Sequence, residues 1–217
     1  MIRLIVWDFD GTLADSRPLI EAGMKHALAG LGEPEAKMQE WLQYVGLPVE
    51  QGIEKTFGVE PGPDLDHILQ VYRTYPHAQN QHLIQPYEGI TSLLADLKAA
   101  NIPMALATSK RRLPVTKQIG AFGWDGFFDP IVTPDEVTLG KPHPESLQLI
   151  MEAKALQPED VLMVGDTTFD LEMANAAGVP SLALGHGFHD QAALATCRPR
   201  AYAPDVSALR DILFAWI

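Results

Sequence analysis

The sequence is poor in cysteine, poor in cations and free of long apolar runs. Cys197 is the single cysteine, so no disulfide can close within the chain, and a lone cysteine reads as a small packed or surface residue rather than a nucleophile. Lysine and arginine number 16 against 28 aspartates and glutamates, a net charge of −12. That balance excludes a nucleic-acid binder that works by neutralising phosphates. An anionic small substrate is still allowed, but it needs local cations to overcome the global field. No apolar stretch approaches the roughly 20 residues of a membrane helix. The first apolar run is cut by Asp8, so the reading expects no leader peptide, no membrane partner and a cytoplasmic protein. What is present is an ordinary globular composition, 47% hydrophobic and 20% charged, over 217 residues, enough for one large domain or a main domain with a smaller insert.

Five short apolar runs read as strands buried on both faces: Leu4 to Trp7, Met104 to Ser109, Phe127 to Thr133, Val161 to Asp166 and Val179 to Gly185. Helical patterns separate the later ones, at Ile90 to Ala100, Leu113 to Ala121, Pro144 to Ala155 and Thr168 to Ala177, the last followed by Gly178 as a natural stop. Strands alternating with helices predict an α/β fold with a doubly wound parallel sheet. Arg17 to about Gln85 breaks the alternation with four apolar stripes at helical spacing and no strand. A single crossover rarely needs four helices, so this stretch reads as an inserted helical cap. The expected division is a core of residues 1–15 and 87–217 and an all-helical cap of residues 16–86.

The first strand runs into "WDFDGTLADS", where Asp8, Asp10 and Asp15 crowd together. Like charges this close repel, and burial worsens it, unless a cation joins them. In an open α/β sheet ligands bind beyond the carboxyl ends of the strands. The sequence places Asp8, Asp10 and Gly11 there after strand one, Thr108, Ser109 and Lys110 after strand two, and Asp166 and Asp170 after strand four, with Lys141 in a nearby loop. An all-oxygen carboxylate set suits magnesium rather than zinc. The lysines and hydroxyls suit a phosphate group, and together these are the parts for phosphoryl transfer.

"DFDGTLADS", "TSK", "GKPHPE" and "GDTTFD" resemble, in order, the four motifs of the haloacid dehalogenase superfamily. The helical stretch after the first motif, and "PYEGI" on return, are similar to its phosphoglycolate-phosphatase-like branch. The resemblance implies a Rossmann-type core, Asp8 as a nucleophile that becomes aspartyl-phosphate, and Asp10 as the general acid and base. It implies Mg²⁺ held by Asp8, the Asp10 backbone carbonyl and Asp166, with Asp170 in support. Thr108 or Ser109 and Lys141 would bind the phosphoryl oxygens, Thr108 being favoured because it ends the strand. Lys110 is a candidate phosphate contact, and Gly11 would let backbone amides approach the anion. The dehalogenases proper lack an acid at the Asp10 position, so Asp10 argues for phosphate chemistry.

The resulting expectation is a Mg²⁺-dependent phosphatase of a small phosphorylated metabolite, phosphoglycolate leading by resemblance, as a monomer or homodimer. A phosphomutase, a hydrolase of nucleotides, sugar phosphates or pyrophosphate, and a catalytically silent binding protein are the alternatives. Arg17, Lys25, His26, Lys55 and Arg73 are the cap's candidate substrate cations. Trp41, Phe57 and Tyr72 read as cap core, Asp15 as a helix-start acid, Arg111 and Arg112 as a helix-start surface, and His143, His186 and His189 as loop residues.

Overall fold

The computed structural model describes residues 2–217. Its main sheet has six parallel strands in the order β5-β4-β1-β6-β7-β8, from β1 (Leu4–Trp7), β4 (Met104–Ala107), β5 (Ile131–Val132), β6 (Val161–Gly165), β7 (Ser181–Leu184) and β8 (Ala201–Ala203). Every residue of β1 is buried, as its unbroken apolar sequence requires of a strand covered on both faces. Alternation sends Ile5 and Trp7 to one side, against α5 (Ile90–Ala99), α6 (Arg112–Ala121) and α10 (Val206–Trp216). Leu4 and Val6 go to the other, against α7 (Glu145–Lys154) and α8 (Thr168–Ala177). The sheet is therefore doubly wound, as the sequence predicted.

The strand expected over residues 127–133 shortens to Ile131–Val132. β8, α9 (Gln191–Thr196) and α10 extend the core beyond the elements read from sequence. Cys197 is buried beside Leu171, Ala183 and Leu194, and burial pushes its thiol up, as suits a packing residue.

Between β1 and α5 lie α1 (Arg17–Leu31), α2 (Lys37–Leu42), α3 (Val49–Phe57) and α4 (Pro63–Arg73). They pack on one another around their own cluster, including Met24, Leu28, Trp41, Ile53, Ile68 and Leu69. The chain enters and leaves this helical unit through a two-stranded antiparallel ribbon, β2 (Ala14–Asp15) with β3 (Gln85–Pro86). Asp15 accepts from the Arg17 N–H at 3.1 Å, the helix-start role expected of it. Among the described residues no helix is long and apolar enough to cross a membrane.

Candidate active site

Parallel pairing sets Trp7 level with Leu106 of β4 and Val164 of β6. The next residues out, Asp8 after β1, Thr108 after β4 and Asp166 after β6, therefore emerge together on the carboxyl rim, at the point where the winding reverses direction. Lys141 reaches the same point from the loop before α7. Its ammonium lies 2.5 Å from Asp8 Oδ1 and 2.6 Å from Asp170 Oδ1, and it is only 2% exposed. Asp170 is held in turn by the start of α8. Its Oδ2 accepts from the Thr167 N–H at 3.1 Å and the Thr167 hydroxyl at 2.7 Å, a capping box that satisfies the helix end and aims the carboxylate at Lys141.

Asp166 is fully buried and accepts from the Thr12 hydroxyl at 2.6 Å and from the Phe188 N–H at 2.8 Å. Two glycines allow this closeness. A Cβ on Gly11 would lie 2.3 Å from Asp166 Oδ2, and one on Gly187 2.0 Å from it; Gly11 also has a φ of +84°. Gly11 itself offers no amide to a ligand. Its N–H donates to the Ala14 carbonyl at 2.8 Å and is not available to an anion. Among the described residues, the N–H groups of Phe9, Asp10 and Thr12 have no hydrogen-bond partner, which leaves them free for one.

Asp8, Asp166 and Asp170 bring carboxylate oxygens within 4.8 Å of one another. Burial pushes the Asp8 carboxyl up to about 7 despite the attraction of Lys141, with Asp170 and Asp10 adding to the rise. Burial, then Asp170 and Asp8, hold Asp166 well above the usual carboxylate range. The two acids beside Lys141 outweigh its burial and raise its pKa too. One ammonium, held by Asp8 and Asp170, thus serves a cluster of three buried carboxylates, and the site is short of positive charge. A hard divalent cation fits that deficit and this donor set. Asp170 has both oxygens committed to Lys141 and Thr167, whereas Asp8 Oδ2 has no hydrogen-bond partner among the described residues.

Asp10 stands across the rim, its carboxylate gripped by Lys110 at 2.6 and 2.8 Å. Thr108 is buried, and its Oγ accepts the Lys110 N–H at 3.1 Å. Ser109 lies on the same rim, and its hydroxyl donates to the Gly46 carbonyl at 2.6 Å, tying the rim to the helical unit. His189 makes a second tie. Its Nδ1 accepts from the Thr168 N–H at 3.0 Å, which leaves Nε2 to donate to the Gln43 carbonyl at 3.0 Å.

Residues 5–184 match the haloacid dehalogenase-like hydrolases. The chain belongs to this family. Among haloacid dehalogenase-like relatives, it is 31% identical to "Pyrophosphatase PpaX" of Bacillus pumilus (strain SAFR-032) over 215 residues, 99% of this chain and 97% of that one. A solved structure described as a predicted phosphoglycolate phosphatase from Haemophilus somnus superposes with a TM-score of 0.84 at 25% identity, covering 99% of this chain and 97% of the other. A predicted phosphatase from Clostridium acetobutylicum shares the fold at a TM-score of 0.89 and 23% identity, over 99% of both chains. As a haloacid dehalogenase-like enzyme, the chain is a hydrolase of the phosphoric-ester class.

Between the rim and the helical unit lies a cavity of about 440 Å³ that Asp8, Asp10, Thr108, Ser109 and Lys110 share with α1, α2, α3 and α4. Trp41 and Tyr72, read from sequence as core, do pack in the helical cluster but also line this cavity. Periodicity marks a buried face and cannot show that one edge of it looks into a cleft. Of the five cap cations singled out from sequence, Arg73 alone lines the cavity. Lys25 is with Glu35, His26 with Thr74, Lys55 over the Tyr44 ring, and Arg17 with Glu21 and the Gly187 carbonyl. Thr167 and Gly46 were not singled out; only the fold brings them to the acids and the rim.

Proposed function

We propose that this haloacid dehalogenase-like hydrolase is a magnesium-dependent phosphatase that hydrolyses a small phosphomonoester through an aspartyl-phosphate on Asp8. The observation that carries this is Asp8 itself: a buried rim carboxylate with one oxygen on Lys141, the other without a partner, and a second acid, Asp10, beside it.

In the proposed cycle an Asp8 oxygen attacks phosphorus while the bond from phosphorus to the leaving oxygen breaks. Asp10 supplies a proton to that oxygen. Asp10 then takes a proton from water as the water oxygen attacks phosphorus, the Asp8–phosphorus link breaks, and inorganic phosphate leaves. Thr108, Lys141 and the N–H groups of Phe9 and Asp10 meet the phosphoryl oxygens. Asp170 positions Lys141, and Lys110 keeps the Asp10 carboxylate at the rim. Ser109 is assigned to holding the helical unit against the rim instead of to phosphate. Asp8, Asp166 and the Asp10 backbone carbonyl would hold the magnesium, with Asp170 in support. When bound, magnesium offsets the carboxylate charge and polarises a phosphoryl oxygen.

Residues 16–86 are the proposed cap, closing over a core of residues 1–15 and 87–217 about the β2–β3 ribbon. This motion would exclude water and admit substrate. A phosphorylated metabolite as substrate and a single buried thiol suit a cytoplasmic setting.

The test is hydrolysis of a panel of phosphomonoesters with magnesium, with EDTA, and by Asp8→Asn. Turnover should require magnesium and fall by at least about 10³-fold in Asp8→Asn. Appreciable activity in that variant would remove Asp8 from the nucleophile's role.

A further inference from the structure

The cavity's walls carry information about the leaving group. Its volume, about 440 Å³, falls in the range of roughly 300–1,000 Å³ that houses drug-sized ligands. Beyond the rim acids the lining is mainly apolar and aromatic, with Ile20, Trp41, Tyr44, Leu47, Val49 and Tyr72 its principal members. Three cations line it, and each already faces a carboxylate. Lys110 grips Asp10, Arg73 lies 2.8 Å from Glu50, and Arg111 lies 3.6 Å from Glu50 and 3.4 Å from Asp135. His77 adds no cation, because burial holds its pKa below the usual value. A second phosphate or a carboxylate on the substrate would have to draw Arg73 or Arg111 away from Glu50, and it would lie against apolar walls.

We infer that the substrate is the phosphate ester of an uncharged, largely apolar, ring-bearing alcohol, and that the ring is received among Trp41, Tyr44 and Tyr72. The inference rests on the phosphatase reading above and narrows it. It points away from pyrophosphate and phosphoglycolate, whose leaving groups are small and anionic.

The test compares kcat/KM for methyl, cyclohexylmethyl and benzyl phosphate, whose leaving alcohols differ little in acidity, with phosphoglycolate and pyrophosphate, all with magnesium. One well-fitted methylene is worth about 10-fold or more in kcat/KM, so benzyl phosphate should exceed methyl phosphate by on the order of 100-fold and outrank both anionic substrates. A benzyl advantage over cyclohexylmethyl phosphate assigns the gain to the aromatic walls; equality of the two, both of which carry a ring, overturns the part given to the aromatic side chains.

Val49 begins α3, where an acidic side chain suits the helix N-terminus, so Val49→Asp should fold while placing a charge on the cavity wall. The benzyl-to-methyl ratio should fall about 10-fold in Val49→Asp and less in Val49→Ala. Equal rates for methyl and benzyl phosphate, or a preference for either anionic substrate, would overturn the inference and leave the phosphatase reading standing. Failure to hydrolyse any of the esters would overturn the phosphatase reading itself.

Discussion

Replacing Lys141 by Met removes the one ammonium that faces the buried carboxylates and keeps most of the aliphatic stem. Asp8 and Asp170 then lose partners at 2.5 and 2.6 Å. Breaking a buried pair by deleting one member costs about 3–5 kcal/mol, a large share of the roughly 5–15 kcal/mol that holds a domain folded. The cost must depend on pH. In the wild type, burial carries Asp8 from 3.8 to about 7 in the folded state, so between those values the folded chain binds the extra proton and stability falls as pH rises. At about 1.4 kcal/mol per pH unit that fall amounts to about 4 kcal/mol. Without Lys141 the folded carboxyls rise further, so the decline in the variant is steeper and continues to higher pH. The raised pKa of Lys141 contributes stability that is lost only above the ordinary lysine range, outside this window. Urea unfolding in EDTA at about pH 5 and pH 8 should show Lys141→Met destabilised by about 3–5 kcal/mol at the higher pH and by clearly less at the lower. An equal loss at both, or a loss under about 1 kcal/mol at pH 8, would refute the view that this lysine compensates buried carboxylates.

Asp10→Asn should slow esters of poor leaving groups much more than an activated aryl phosphate, which needs little protonation; equal losses in kcat/KM would argue against its role as acid. Thr12→Val deletes the 2.6 Å hydrogen bond to buried Asp166 and should cost about 1.5–3 kcal/mol in urea unfolding, with weaker activation by magnesium. Magnesium at a hundred times its Kd should stabilise the protein by about 2.7 kcal/mol. Because protonation of Asp8 below about 7 competes with the metal, the accompanying rise in Tm should be larger at alkaline than at acid pH.

The carboxylate rim was legible in the sequence because parallel pairing aligns strand ends. Once Leu4–Trp7 and Val161–Gly165 are read as strands, Asp8 and Asp166 must meet. Lys141 and Asp170 followed by resemblance, and the capping box at Thr167 explains physically why Asp170 stays aimed at the lysine. Other features depend on contacts between distant segments. Ala201–Ala203 is too short and too rich in alanine to announce a strand, and pairing with β7 makes it one. Met38, Trp41, Leu42 and Val45 fall at helical spacing, but α2 ends at Leu42. The chain then turns so that Gly46, at a φ of +110°, can lie against Thr167 and offer its carbonyl to Ser109. Which of the cap cations reaches the cavity was not legible, for an electrostatic reason. Sequence shows where a charge lies along a helix, but not that Glu35 or Glu50 has folded back to meet it.

The proposed mechanism turns on a phosphate carried covalently by Asp8. Rapid acid quenching of the enzyme during turnover, followed by borohydride reduction, converts an aspartyl-phosphate to homoserine, which peptide mass spectrometry locates. Homoserine at position 8, absent from enzyme quenched without substrate and from Asp8→Asn, is the predicted result. Homoserine at another aspartate, or turnover with no reducible acyl-phosphate at any quench time, would contradict the account.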